Sequence, residues 1–528
     1  MSTDTSYESA VSELNALQSN ASVISMLKAS RGAINIHSLP EMRVYWKRLG
    51  HELEELNHLS AIHLTGTKGK GSTCAFVDSI LRNLPSASLP KGKSSLRVGL
   101  FTSPHLMEVR ERIRIDGRPI SKATFAASFK ACRDRLLAAA SHPHSEPLLV
   151  DPSLPAPLPL PPLPSYFRFL TLMAFHTFLE HKVDVAIIEV GVGGEYDSTN
   201  ILPSPVACGI TSLGLDHIGT LGANLESIAW HKAGIMKKDV PVIISPQPAV
   251  AEKVLEDRAK ELHVSSYSKA PRFPTFPTGS DLKLGISGDH QVGNASLAIA
   301  LVFTWLSRMG GMVKDPCPPD GVWQEEDLSF VRPGLEKTFW PGRAHIYTDP
   351  YSPSGPEGKS GSLQWCFDGA HTIESMEACL RWFSSLEQPK GPFIQILIFN
   401  CTHGREGKTL LQPLVTAKDI HFDWAFFCTN TTYASGHYKG DLQNNVESKD
   451  TSLVLQTELA QAWCEGIGSP MDQAVIYPTI EDTLRSIRSL QERSQDLSIR
   501  VLVTGSLHLV GGVMAVLGMG LDPETQRS

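Results

Sequence analysis

The sequence predicts an α/β protein of two domains, in which parallel strands alternate with helical crossovers. Three observations support this prediction. Short apolar or β-branched runs alternate with helix-length segments, and most of these runs end in Gly, Thr, Ser or Asp. The alternation occurs in two separate stretches of the chain. A length of 528 residues also exceeds what one hydrophobic core usually organises.

The first stretch predicts a parallel sheet with strands at 61–64, 97–101, 183–190, 206–211 and 240–245. Residues 142–164 interrupt it, because nine of these twenty-three residues are prolines, which cannot donate to a helix or sheet ladder. We predict a surface insertion there. A passive loop is favoured over a docking site for a proline-binding partner.

The second stretch predicts another α/β domain with strands at 344–348, 363–367, 393–400, 424–428, 474–477 and 499–504. Helical patterns such as 481–492 separate these strands. Prolines and acids are concentrated in residues 314–334, which follow the helix-like run 291–309. We therefore expect a first domain of residues 1–325, carrying the insertion at 142–164, and a second of residues 326–528.

Composition and charge exclude several classes of protein. Lys and Arg number 48 against 55 Asp and Glu, so the net charge of −7 argues against binding nucleic acid or an anionic membrane surface. No stretch approaches the roughly 20 apolar residues that span a bilayer. The nine cysteines form no C-x-x-C pair, which is typical of reduced thiols in an intracellular protein.

The N-terminal residues bear on localisation. The first twenty residues contain three acids and no Lys or Arg, which argues against a signal peptide or an organelle presequence. We expect a cytoplasmic protein, and a mitochondrial form made from an alternative upstream start stays open.

The strongest local signal is AIHLTGTKGKGSTCAFV, where a strand leads through a glycine-rich turn directly into a helix. Gly66, Gly69 and Gly71 allow backbone N–H groups to converge on phosphate oxygens, Lys70 adds a charge, and the helix starts near Ser72. The spacing differs from G-x-x-x-x-G-K-[ST], so an ordinary GTPase or kinase loop is a poor match. The alternative is a turn that only packs a helix on the sheet.

Polar residues at the ends of other predicted strands suggest a metal site. Glu189 closes an apolar run, Ser103 follows the strand 97–101, and Asp216 and His217 follow the strand 206–211. The carboxyl ends of parallel strands lie at one sheet edge, where ligands bind. We expect Glu189 to ligate magnesium. His217, taken alone, is better explained as a hydrogen-bonded histidine.

Four further residues are weak signals by themselves. Lys232 lies in the partly apolar stretch IAWHKAGIMK, where the residues alone predict an amine that extends to solvent. Arg343, in PGR, could bind phosphate with two hydrogen bonds. Asp368, in FDGAHT, could accept a hydrogen bond from ribose or adenine, and His371 could lie near the transferred group.

Eight motifs in order resemble the folylpolyglutamate synthase family, within the Mur-ligase-like ATP-dependent amide ligases. They are LTGTKGKGSTCAF, LFTSPHLMEVRERIRIDG, YFRFLTLMAFHTFLEHKVDVAIIEVGVGGEYDSTN, IAWHKAGIMK, GDHQVGNA, PGRAHI, FDGAHT and VTGSLHLVGG. The resemblance covers about residues 40 to 515, with insertions at 142–164 and within 352–360 and 438–452. It implies an N-terminal P-loop nucleotide-binding domain of Mur-ligase type and a smaller C-terminal Rossmann-like α/β domain.

The resemblance also implies an activity. A member of this family joins L-glutamate to the γ-carboxylate of a folate polyglutamate, using ATP and magnesium and forming an acyl phosphate. This reaction retains folates in the cell for one-carbon metabolism. The implied ligands are folate, L-glutamate, ATP and one or two magnesium ions, with a monovalent cation left open, and we expect a monomer.

The resemblance assigns roles to individual residues. The implied contacts are as follows: ATP phosphates at Gly69, Lys70, Gly71 and Ser72; the nucleotide at Asn294, Arg343 and Asp368; magnesium at Ser103, Glu189 and His217; and the incoming glutamate at His371 and Ser506. Lys232 matches a position that can be carbamylated, which would turn a cation into a carboxylate able to support a second metal ion. Lys70, Lys232 and His371 are the implied catalytic residues.

Two other functions stay open at this point. Dihydrofolate synthase uses the same fold and chemistry to add the first glutamate to dihydropteroate, although FTSPHLMEVRERIRIDG and YFRFLTLMAFHTFL look more like the polyglutamylating branch. A nucleotide-sensing switch without ligase activity would keep the loop but would have little use for Arg343, Asp368 and His371.

Overall fold

The computed structural model describes residues 4–18, 36–141, 160–273, 282–312, 315–350, 361–389, 391–401, 407–435, 440–442, 453–468, 471–494 and 496–521. The chain forms two compact units. The first comprises Met1–Pro104, Arg110–Gly285 and Gln291–Thr338, and the second comprises His105–Val109, Ile286–His290 and Phe339–Ser528. Of the predicted insertions, residues 142–159, 352–360, 438–439 and 443–452 lie outside the described residues.

The described part of the first unit contains an eight-stranded sheet in the order β4-β3-β2-β5-β1-β6-β7-β8. Its strands are β1 (Ile62–Thr65), β2 (Val98–Phe101), β3 (Ile113–Ile115), β4 (Arg118–Pro119), β5 (Val185–Glu189), β6 (Ala207–Ile210), β7 (Pro241–Ile244) and β8 (Ser266–Lys269). All pairs are parallel except β2–β3 and β3–β4. The five predicted strands are present, and each is fully buried, as apolar strands covered on both faces should be.

Three strands were not predicted. A β-hairpin joins β3 to β4 through Asp116 and Gly117, whose φ angles of 52° and 80° are those of a tight turn with two left-handed residues. The Asp-Gly pair in IRIDGRPI is the feature of the sequence that could have predicted this hairpin. Strand β8 is polar and lies at the opposite edge of the sheet, so it lacks the apolar run that identified its neighbours.

Ten helices accompany this sheet among the described residues. They are α1 (Asp4–Asn15), α2 (Ser38–Arg48), α3 (Lys70–Arg82), α4 (Lys122–Ala140), α5 (Tyr166–Glu180), α6 (Ile218–Leu221), α7 (Leu225–Ala233), α8 (Ala249–Glu261), α9 (His290–Arg308) and α10 (Glu325–Lys337). Helix α10 packs closely on α3, since a Cβ on Gly334 would lie 2.4 Å from the Cα of Ile80. This helix therefore belongs with the first unit, although it begins at the boundary predicted near residue 325.

The second unit contains a six-stranded sheet, in the order β13-β12-β11-β14-β10-β9 among the described residues. Its strands are β9 (His345–Thr348), β10 (Leu363–Phe367), β11 (Phe393–Phe399), β12 (Trp424–Cys428), β13 (Ala474–Tyr477) and β14 (Ser498–Thr504). All six were predicted. Only the edge pair β9–β10 is antiparallel.

The helices of the second unit cover both faces of its sheet. They are α11 (Ile373–Ser384), α12 (Gly407–Thr416), α13 (Val454–Ile467), α14 (Ile480–Arg493) and α15 (Leu507–Val516). Helices α11 to α13 pack in one core and α14 and α15 in another. The neighbouring strands β10 and β14 are thus followed by helices on opposite faces, which is the topology that binds ligands beyond the carboxyl ends of the strands.

Two further expectations concern cysteine chemistry and membranes. All nine cysteines are free thiols, and only Cys317 is partly exposed. Among the described helices, none combines the length and the apolar character that a membrane crossing requires.

Candidate functional site

The loop between β1 and α3 requires glycine at two positions. Gly66 has a φ of 151° and Gly69 a φ of 85°. A Cβ on Gly66 would lie 1.7 Å from Oγ1 of Thr211, and a Cβ on Gly69 would lie 2.2 Å from Oδ1 of Asn294. The side chains of Thr211 and Asn294 therefore lie so close to the loop backbone that only glycine fits at positions 66 and 69.

Backbone hydrogen bonds fix this loop to the segment after β6. The N–H groups of Thr67 and Lys68 both donate to the Ser212 carbonyl, at 3.0 and 3.1 Å. The Thr67 hydroxyl lies 3.1 Å from the Gly214 carbonyl, and the Lys68 amine lies 3.8 Å from Asp216. The two segments that carry predicted phosphate and metal ligands thus meet at the carboxyl edge of the sheet.

Two lysine amines converge on the carbonyl of Gly66. Lys70 donates to it at 3.0 Å and Lys232 at 2.7 Å. Lys232 is only 3% exposed, so the expectation that its amine extends to solvent is wrong: helix α7 packs it under the loop. Burial lowers the pKa of the Lys232 amine well below its usual value, and the Lys70 charge lowers it further.

Glu189 and Ser103 lie together at the same edge. Glu189 ends β5 beside Leu64 of β1 and is 4% exposed. Its Oε2 accepts a hydrogen bond from the Ser103 N–H at 2.9 Å. The pKa of the Cys74 thiol is raised by burial and then by Glu189, while Lys70 opposes the rise, so both charges act on the start of α3.

The third predicted metal ligand occupies a different environment. His217 is exposed and has a left-handed backbone with φ 51°, and its N–H donates to the carboxylate of Asp216 at 2.9 Å. Within the described ranges, no three His, Cys, Asp or Glu side chains are grouped closely enough to hold a metal ion. The magnesium set of Ser103, Glu189 and His217 stays a prediction.

The first two turns of α9 contact the glycine loop through two buried amides. Asn294 lies against Gly69, and its Nδ2 donates to Oε1 of Gln291 at 2.9 Å. Gln291 in turn places its Nε2 3.4 Å from the Ser72 hydroxyl. Sequence reasoning selected Asn294 and missed Gln291, although a spacing of three residues places both on one helix face.

Arg343 and Asp368 are adjacent in the second unit. Oδ2 of Asp368 accepts a hydrogen bond from the Ala344 N–H at 2.9 Å, and the Gly369 N–H donates to the Gly342 carbonyl at 3.0 Å. A Cβ on Gly369 would lie 2.4 Å from Nη1 of Arg343. Burial raises the pKa of the Asp368 carboxyl, and the guanidinium of Arg343 opposes this rise.

His371 follows β10 and Ser506 follows β14, so both lie after the carboxyl ends of neighbouring strands. Nδ1 of His371 is 2.8 Å from the Gly369 carbonyl. Ser506 caps α15, since its hydroxyl accepts a hydrogen bond from the His508 N–H at 3.2 Å. The Gly505 N–H joins these two segments by donating to the Ala370 carbonyl at 3.0 Å. Backbone hydrogen bonds therefore connect the segments that carry the four residues predicted in this unit.

Comparison with known proteins gives consistent results. Residues 356–516 match the model of a family described as "Dihydrofolate synthetase, C-terminal domain". A putative folylpolyglutamate synthase from Caenorhabditis elegans is 38% identical over 97% of this chain and 93% of its own length. The mitochondrial folylpolyglutamate synthase of Cricetulus griseus is 36% identical over 98% of this chain and 92% of its own.

A solved structure supports the fold. The folylpolyglutamate synthase of Mycobacterium tuberculosis, crystallised with ADP and AMPPCP, superposes with a TM-score of 0.65. It is 24% identical in sequence, and the match covers 92% of this chain and 96% of the other. The predicted two-domain α/β fold is confirmed by this likeness.

Proposed function

The chain belongs to the folylpolyglutamate synthase family, and from this premise we propose that it adds L-glutamate to the γ-carboxylate of folate polyglutamates, with conversion of ATP to ADP and phosphate. The observation that best supports the proposal is the glycine loop with two lysines at its Gly66 carbonyl, beside the buried carboxylate of Glu189.

The chemistry explains why cations are needed there. A carboxylate does not accept an amine at neutral pH, because oxide would be the leaving group. Transfer of the ATP γ-phosphoryl group to the folate carboxylate forms an acyl phosphate and releases ADP, and the glutamate amine then displaces phosphate to form the amide. Two anions must meet in the first step, so the Lys70 amine and the loop N–H groups would offset their repulsion.

The oxygen ligands at this edge fit magnesium. Glu189 supplies a buried carboxylate, and Ser103 and Ser72 carry hydroxyls next to the loop. Magnesium is typically held by one or two carboxylates together with water and phosphate oxygens, so a larger protein cluster is not required. Ser103, Glu189 and His217 would hold the ion, which would neutralise phosphate charge when bound.

Lys232 is a candidate for carbamylation. A buried amine with a lowered pKa is more often neutral, and a neutral amine is the form that adds to carbon dioxide. Carbamylation would place a carboxylate group beside Lys70 and would support a second metal ion.

Four residues of the second unit complete the proposal. Arg343 and Asp368 would bind the nucleotide, the first through its guanidinium and the second as a hydrogen-bond acceptor. His371 and Ser506 would contact the incoming glutamate, because both follow the carboxyl ends of neighbouring strands, where a sheet of this topology binds ligands.

The decisive experiment is a product-mass ladder. Purified protein is incubated with tetrahydrofolate, L-glutamate, magnesium and ATP, and products are followed by mass spectrometry. Successive additions of one glutamyl unit, each matched by one ADP, are expected. ATP consumption without amide formation would support a nucleotide-sensing switch instead.

Dihydrofolate synthase is the second candidate, because the matched family model carries that description. The same assay with dihydropteroate in place of tetrahydrofolate separates the two activities. We expect the tetrahydrofolate ladder to dominate. We also propose a monomer, tested by light scattering, and residence in the cytoplasm, with a mitochondrial form left open.

A further inference from the structure

A line of buried polar groups connects strand β1 to the turn that follows Glu189. His63 of β1 is completely buried, and its Nε2 lies 2.9 Å from Oγ1 of Thr199. The Thr199 hydroxyl lies 2.6 Å from Oδ1 of Asp197. The proposed reaction assigns no role to His63, Thr199 or Asp197, and both His63 and Asp197 are ionisable.

The hydrogen-bond geometry determines where the protons lie. Asp197 already accepts the N–H groups of Thr199 and Val192, each at 3.0 Å, so its carboxylate acts as an acceptor. The single hydroxyl proton of Thr199 therefore points to Asp197 at the short 2.6 Å distance. The hydroxyl oxygen can then only accept from His63, which requires the proton on Nε2.

The other imidazole nitrogen agrees with this assignment. Nδ1 of His63 is buried and has no hydrogen-bond partner in the described part of the chain. A protonated Nδ1 there would leave a buried donor unsatisfied, which is more costly than an unpaired acceptor nitrogen. Burial lowers the pKa of the His63 imidazole to about 3, so the ring is neutral at physiological pH.

Asp197 holds the turn after β5. Its Oδ2 accepts the Val192 N–H, and its own N–H donates to the Gly194 carbonyl at 3.1 Å. From the other side, the Thr65 hydroxyl of β1 donates to the Gly193 carbonyl at 2.6 Å. This turn begins directly after Glu189, the last residue of β5. Its position therefore determines the direction of the backbone that follows Glu189.

We propose that His63, Thr199 and Asp197 form a positioning relay, in which the Nε2 proton of His63 orients the Thr199 hydroxyl and that hydroxyl orients the carboxylate that holds the turn beside Glu189. The relay rests on the proposed ligase function. It makes His63 and Thr199 positioning residues, which act on the reaction only through Asp197 and the turn.

The test compares Thr199→Val with Thr199→Ser. Valine keeps the branched shape but removes the hydroxyl, so Asp197 loses one donor and His63 loses its acceptor. We expect kcat to fall about 10- to 100-fold in Thr199→Val, since a displacement of about 1 Å in a catalytic group costs this much. Thr199→Ser should stay within about threefold of the parent, and KM for MgATP should change less than about twofold in both.

A matched control separates positioning from stability. Thr177 of α5 is also fully buried, but among the described residues its hydroxyl bonds only the Met173 carbonyl of its own helix, at 2.7 Å. Thr177→Val should lower the melting temperature without changing kcat. The relay is overturned when Thr199→Val keeps full kcat, or when Thr177→Val lowers kcat by the same factor. A parent protein that adds no glutamate refutes the proposed function itself.

A second pair of variants, His63→Gln and His63→Asn, tests the relay in case the Thr199→Val protein does not fold. The side-chain nitrogen of glutamine reaches the place of Nε2, whereas that of asparagine reaches only the place of Nδ1. We therefore expect His63→Gln to retain at least about tenfold more kcat than His63→Asn. The reverse order, or equal rates, would overturn the assigned proton position and with it the relay.

Discussion

Lys70 and Lys232 donate hydrogen bonds to one acceptor, the carbonyl oxygen of Gly66, at 3.0 and 2.7 Å. Two amines on one oxygen repel each other when both are charged, and burial adds to this cost for Lys232. The arrangement favours either a neutral Lys232 or an anion that binds between the amines. The bound anion agrees with a site for phosphate groups, and the neutral amine agrees with the proposed carbamylation of Lys232.

We expect Lys70→Ala to lower kcat/KM by about 10³-fold or more, because it removes the charge next to the transferred phosphoryl group. Lys130→Ala is the matched control, since Lys130 is exposed on α4 and pairs only with Asp134 among the described side chains. Steady-state rates at saturating glutamate measure the effect. Near-normal turnover of a folded Lys70→Ala protein would contradict the assignment.

Glu189→Gln should weaken magnesium binding by at least about tenfold and slow turnover by about 10³-fold, because a neutral amide is a poor ligand for this ion. Titration calorimetry with magnesium and ADP measures the binding part without any reaction. The exposed Glu326 of α10 provides the control Glu326→Gln. Equal magnesium affinity in both variants would remove Glu189 from the metal site.

Lys232→Ala should lose activity, and short carboxylic acids should restore part of it if a carbamate is the active form. The parent protein should also slow down in buffer depleted of carbon dioxide and recover on addition of bicarbonate. Intact-mass spectrometry under native conditions checks for the added carboxyl group. An active variant that needs no added acid would show that Lys232 is not carbamylated for catalysis.

Gly69→Ala should raise Kd for ADP at least about tenfold, because the new Cβ would lie 2.2 Å from Asn294 and the φ of 85° disfavours alanine. Gly293→Ala is the control: it lies in the same motif, but no atom of the described residues lies within 4 Å of its added Cβ. That change should stabilise α9 by about 1 kcal/mol. Fluorescence titration with ADP would detect the difference, and equal affinities would contradict a tight loop.

Acid should destabilise the first unit through a pair of histidines. Nε2 of His51 lies 2.9 Å from Nδ1 of His176, and the other His51 nitrogen contacts Glu55. Burial, then the neighbouring His51 and Arg135, lower the pKa of His176 from 6.5 to about 4, while Glu180 opposes them. The unfolded chain thus binds more protons, so stability should fall as pH drops from about 6.5 towards 4.

Denaturant unfolding at several pH values measures this loss, which we expect to reach about 2 kcal/mol. His176→Gln should reduce the slope between pH 6.5 and 4, because a titrating group with a lowered pKa is removed. The same change at the exposed His58 provides the control. A slope that survives in His176→Gln would assign the acid sensitivity to other groups.

Much of the fold followed from the sequence because the buried parallel strands are apolar runs that end in small or polar residues. The glycine loop and Glu189 were found for the same reason, as both stand where such a run stops. The buried state of Lys232 could not be predicted, because it depends on contact with Gly66, a residue distant in sequence. The links between Gln291 and Ser72 and between His63 and Asp197 likewise arise only when separate segments meet.

The eight-stranded sheet ends in two strands that resist further pairing. At one edge, β4 has only two residues, and one of them is Pro119, which has no N–H to offer. At the other edge, β8 is polar and ends with Lys269, which pairs with Glu252. Neither edge strand therefore provides a long row of free N–H and C=O groups with which a strand of another chain could pair. We expect this to reduce aggregation through the sheet edges while the protein folds in the cell.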